Sequence, residues 1–108
     1  MISRNRLRRI IKEYRSDLHK ILGDDLDLMI LFGSQARGEA VEGSDIDVLC
    51  IMKRPFRYGD LIMQTSKVTA EISLKHDVVI SRAFVTLDDY NTGRSPFLMN
   101  VHKERLAI

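Results

Sequence analysis

The chain has 108 residues, of which 44% are hydrophobic and 30% charged, and it carries a net charge of +2. That length supports one compact domain over residues 1–108, and the composition excludes a disordered chain. Asp27 interrupts the first apolar run and Lys53 ends the second, so neither a membrane span nor a leader segment is expected. The small positive balance, no Trp and three Tyr offer no stacking platform for nucleic acid.

The first element reads as an amphipathic helix. Leu7, Ile10, Ile11, Tyr14, Leu18, Ile21 and Leu22 recur at three- and four-residue spacing, while Arg4, Arg8, Lys12, Arg15 and Lys20 fall mostly on the other side. Ser3 suits its N-cap and Gly23 its stop, and the basic face reads as solvated. Leu26 to Phe32 follows as a buried strand. Gly33 turns it into a short helical piece, Ser34 to Arg37, that Gly38 ends, and 39–44 is a polar loop.

A second strand is expected over Asp45 to Met52, closed by Pro55. It contains the lone Cys50, which cannot form an internal disulfide and reads as a small buried hydrophobe in a reduced, cytoplasmic compartment. A helix over about Gly59 to Leu74 carries a partial stripe of Leu61, Ile62, Val68 and Ile72. A third strand, rich in β-branched residues, runs from Asp77 to Val85. Thr86, Asp88 and Asp89 introduce a helical turn, and Ser95-Pro96 opens a last helix through roughly Arg105. This order predicts an α/β (α+β) fold, a mixed sheet flanked by helices.

The chemistry centres on Gly33-Ser34 and Asp45-Ile46-Asp47, with ten residues between Ser34 and Asp45. Alternation along a strand points Asp45 and Asp47 to one face, with Cα atoms roughly 6–7 Å apart. Two carboxylates at that spacing repel unless a cation lies between them. Magnesium suits the pair, because it takes one or two carboxylates and completes its shell with phosphates and water. Two such ions would steady both oxygens of an in-line displacement at phosphorus.

A turn without a side chain at Gly33 lets phosphate oxygens approach the backbone, with the Ser34 hydroxyl adding a hydrogen bond. Gly33 to Gly38 matches the start of a P-loop spacing. However, Glu39-Ala40 stands where Lys-Ser/Thr is required, so it is not one. Arg37 has two readings, contact with a triphosphate or pairing with Glu39 or another carboxylate. Ser44 sets the start of the strand and is a further candidate for nucleotide binding. Asp77 is the candidate third carboxylate, as metal ligand or proton acceptor, with Glu71 as fallback. His19, His76 and His102 lack zinc spacing.

Gly33-Ser34-Gln35-Ala36-Arg37-Gly38 followed by Ser44-Asp45-Ile46-Asp47-Val48 resembles the signature of the minimal nucleotidyltransferases of the DNA polymerase beta superfamily. The closing segment Ser95 to Val101 resembles the C-terminal helix of small members. The resemblance implies a polymerase beta-like nucleotidyltransferase fold, magnesium, and transfer of a nucleoside monophosphate from a nucleoside triphosphate to a hydroxyl. It assigns Gly33 and Ser34 to the triphosphate and Asp45 and Asp47 to the metals. Its third carboxylate lies within a later strand, where this chain offers Asp77 at the strand's beginning. Stand-alone domains of this size resemble the antitoxin of HEPN/MNT toxin–antitoxin pairs. That likeness implies ATP as substrate, a HEPN ribonuclease toxin as partner in a homo- or hetero-oligomer, and AMP attached to a tyrosine. A non-catalytic antitoxin that neutralises its partner by binding, and a transferase acting on a small molecule or RNA, are the alternatives.

Overall fold

The computed structural model describes residues 2–38 and 45–107. Helix α1 (Arg4–Leu22) begins where expected: the Ser3 hydroxyl accepts from the Arg6 N–H, and Gly23 ends the helix at φ +61°. Its apolar stripe buries Leu7, Ile10, Ile11, Tyr14 and Leu18. A 3-10 turn, Gly23–Asp25, leads into strand β1 (Leu26–Phe32), which passes directly into the short helix α2 (Gly33–Arg37). Strand β2 (Ile46–Met52) starts one residue later than expected, leaving Asp45 just ahead of it.

Helix α3 (Tyr58–His76) and strand β3 (Ile80–Thr86) follow. Here the structure corrects the sequence reading. Asp77 does not open the strand. It caps α3 in the left-handed conformation, φ +53° and ψ +52°, and its backbone N–H bonds back to the helix carbonyls. Helix α4 (Leu87–Thr92) is capped by Thr86. Helix α5 (Pro96–Glu104) is capped by Ser95, whose hydroxyl accepts from the Leu98 N–H. The chain then adds strand β4 (Leu106–Ala107), which the sequence reading missed because two residues carry no periodicity.

The four strands form one mixed sheet in the order β3-β2-β1-β4. Neighbours β1 and β2 are antiparallel. Strands β2 and β3 are parallel, which requires the long crossover that α3 supplies. Alternation sorts the two faces. Ile46, Val48, Cys50 and Met52 join Leu26, Met29 and Leu31 beneath α1 and α3, and Leu49 and Ile51 join Ile30 beneath Tyr90 of α4 and Leu98 and Val101 of α5. Cys50 is fully buried, and burial pushes its thiol up to about 12. No helix among the described residues is long and apolar enough to cross a membrane.

The buried face of α3 is more polar than its apolar residues suggested, since Thr65 and Thr69 lie buried between Leu61 and Ile72. Each threonine hydroxyl donates to the carbonyl four residues back, at 2.7 Å. Thr65 also accepts from Arg82 Nε at 2.9 Å, and the Thr69 and Tyr14 hydroxyls lie 2.7 Å apart. Burial pushes the Tyr14 hydroxyl up to about 12, which keeps it neutral and able to bridge α1 to α3. Leu18, also on α1, is fully buried. Leu18→Ala is expected to cost about 2–5 kcal/mol, read as a lower urea midpoint at unchanged slope.

Candidate functional site

Register brings the two sequence motifs together. In the β1–β2 pairing Phe32 lies opposite Asp47, so the chain leaves β1 at Gly33 beside the start of β2. Gly33 has φ +73°, a conformation side chains disfavour. A Cβ there would also run into the Asp47 carboxylate, whose Cγ would be 3.1 Å away. The glycine is thus required twice, by its own backbone angle and by the acid packed against it. The bend and Asp47 are thus in contact.

Asp47 shares its face of the sheet with Leu49 and Ile51 and is half-buried, whereas Asp45 is exposed. Burial pushes the Asp47 carboxyl above the usual range, and the charge of Asp45 adds to this. Arg37 opposes the shift, while Glu104 reinforces it. Gly33 and Ser34 are half-buried at the start of α2, and Arg37 is exposed in its last turn. Arg37 Nη1 donates to Glu104 Oε1 at 2.6 Å, and the Gly33 N–H donates to Glu104 Oε2 at 3.1 Å. The carboxylate pairing of Arg37 is thus made, with Glu104 as its partner.

Glu104 is the residue that sequence reasoning missed. The β1–β4 register explains its position. Leu31 lies opposite Leu106 and Ile30 opposite Ala107, so the end of α5, just ahead of β4, arrives beside the turn that follows β1. No local pattern signals this, because the contact spans 71 residues of chain.

The other candidates lie further out. Asp77 is exposed at the C-cap of α3, at the same end of the sheet, but it is not among the charges that shift Asp47. On β3 the residue paired with Asp47 is Ser81, and it carries no carboxylate. Glu71 is exposed on α3. His76 Nε2 lies 2.8 Å from Glu13 Oε2 and helps tie α3 to α1. Ser44 lies outside the described residues.

Among the described residues no three acidic, histidine or cysteine side chains are grouped to hold a metal by themselves. Asp45 and Asp47 nevertheless fit magnesium. Both are hard oxygen donors, Asp47 packs against the Gly33 turn, and two carboxylates suffice when a phosphate completes the shell.

A mixed sheet with helices on both faces, a glycine bend and paired aspartates at one end defines a nucleotidyltransferase type of fold. The chain belongs to the nucleotidyltransferase domain family, whose sequence model matches residues 7–104. This is the family its motifs resemble, and it makes the protein a nucleotidyltransferase by class. The chain is 44% identical over 72 residues to a Methanocaldococcus jannaschii protein provisionally named a protein adenylyltransferase. That match covers 67% of this chain and 72% of the relative. A second protein of that organism, with the same provisional name, is 39% identical over 80 residues. It matches over 73% of this chain, which spans about half of that relative (54%).

Among solved structures, a minimal nucleotidyltransferase superposes with a TM-score of 0.59 at 19% identity, over 94% of this chain and 95% of the other. A toxin–antitoxin crystallised with AMP-PNP superposes at 0.57 and 17% identity, over 85% of this chain and 69% of that one. At such identities these likenesses establish the fold.

The raised Asp47 carboxyl makes a signed prediction. Its charged form is disfavoured in the folded state, so metal-free stability is lowered above the folded pKa, and the loss disappears as pH falls below the unfolded value. Asp47→Asn should therefore raise the melting temperature near pH 7 and do so less near pH 4. An equal or larger gain at the lower pH would contradict this.

Proposed function

We propose that the protein transfers AMP from ATP to a tyrosine hydroxyl of a partner protein, and that the partner is a HEPN-type toxin in the cytoplasm. The observation that carries the reading is the packing of Asp47 against the bare Gly33 turn, which gathers anion-binding and cation-binding groups within one site. The provisional names of both Methanocaldococcus relatives support protein as acceptor, and the toxin–antitoxin among the fold neighbours supports a toxin as that protein.

In this reading the Gly33 N–H and the Ser34 hydroxyl hold the outer phosphates, with Arg37 as a further cation. The acceptor oxygen bonds to the α-phosphorus, the bridge to the β-phosphate breaks, and pyrophosphate leaves. Asp45 and Asp47 would hold two magnesium ions, which would supply charge neutralisation of the triphosphate and the leaving group. Asp77, at the same end of the sheet, receives or orients the acceptor proton, and Ser44 adds a phosphate contact. Positioning and charge neutralisation supply most of the rate.

A second reading, inhibition by binding alone, is favoured by Ser81, which occupies the β3 position paired with Asp47. Incubation with α-labelled ATP, magnesium and the partner encoded alongside separates the two. Transfer predicts label on the partner, reduced about a hundredfold or more by Asp47→Asn. Neutralisation of the partner without label would establish the binding reading instead.

A further inference from the structure

Two of the three donors assigned to the triphosphate, the Gly33 N–H and Arg37, are already engaged by a carboxylate of the chain. Glu104 accepts the Gly33 N–H with one oxygen, at 3.1 Å, and Arg37 Nη1 with the other, at 2.6 Å. The contact joins α2 to the last residue of α5, over 71 and 67 residues of chain. Glu104 does not depend on this contact for its place. Strand β4 pairs with β1 immediately after it, Ser95 caps α5, and Arg105 Nη1 donates to the Tyr90 hydroxyl at 2.6 Å. With the backbone anchored on both sides, a side-chain rotation suffices to release the donors.

The Glu104 side chain is 25% exposed and that of Arg37 38% exposed, so the pair stands at the mouth of the site, within reach of solvent and ligand. Glu104 is also a third negative charge close to Asp47. A carboxylate placed there is tolerated because two donors meet it, and it becomes the least favoured anion once one of higher charge arrives with its own cations.

We propose that Glu104 is a built-in competitor for the anion position at Gly33 and Arg37, and that a nucleoside triphosphate binds by displacing it. Its carboxylate makes the site selective. A weakly charged anion cannot exchange for a carboxylate held by two donors, whereas a polyphosphate accompanied by divalent cations can. The inference rests on the reading of Gly33 and Arg37 as phosphate donors, and it adds the residue that sets their affinity.

Calorimetric titration of the full chain with MgATP, and with magnesium tripolyphosphate, tests this in the wild type, Glu104→Gln and Glu104→Ala. Removing the charge should tighten both ligands by about three- to thirtyfold, while the ligand-free melting temperature falls or stays level. A merely structural Glu104 would weaken stability and affinity together, and equal or weaker binding by folded variants overturns the proposal while leaving the triphosphate site intact. Absence of MgATP binding by wild type and variants alike would overturn the site reading and this inference with it. Should the variants fail to fold, the Glu104 carboxyl carbon resonance of the wild type provides the test. It should shift on MgATP addition, and an unmoved resonance in the bound protein contradicts displacement.

Discussion

The site depends on one close approach, that of the Asp47 carboxylate to a backbone turn with no side chain. The antiparallel register sets Phe32 opposite Asp47, the next residue turns away with positive φ, and only glycine leaves room for the acid beside it. Everything else in the fold supports that approach. The sheet holds the register, α1 and α3 cover one face, and α4 and α5 cover the other. The long crossover through α3 keeps β3 parallel to β2, so both strands begin at the end where the acids stand. A shift of one residue between β1 and β2 would send Asp47 to the opposite face and separate the motifs.

Electrostatics make this corner costly without a ligand. The charges of Asp45 and Glu104 both act on Asp47, and the partial burial of Asp47 raises the cost of its charge. The protein meets part of that cost with the Gly33 N–H and the Arg37 guanidinium, both spent on Glu104. Divalent cations would relieve the remaining repulsion between Asp45 and Asp47.

Much of this was legible in the sequence, for identifiable reasons. The α1 stripe from Leu7 to Leu18, the Ser3 and Ser95 caps and the alternation of β2 between two faces follow from local patterns and are present, whereas Ile21, counted in the stripe, is exposed. The glycine and the aspartates could be paired because the strands bearing them are consecutive in the chain and neighbours in the sheet. What escaped was set by distance or by context. Asp77 looked like the first residue of a strand, yet the left-handed cap of α3 claimed it. Thr65 and Thr69 look polar, but their hydroxyls are satisfied within α3 and by Arg82 and Tyr14, so the helix can bury them. Glu104 reaches the site through the β1–β4 register, which a two-residue strand does not announce.

The central claim is that Gly33 and Asp47 together hold a cation-bound triphosphate, and paramagnetic broadening in amide spectra tests it most directly. With manganese and ATP added at low ratio, the amide signals of Gly33, Ser34 and Asp47 should broaden first, and the effect should vanish in Asp47→Asn. Broadening confined to the far end of the sheet, around Met52 and Arg54, or unchanged by that substitution, would contradict the account.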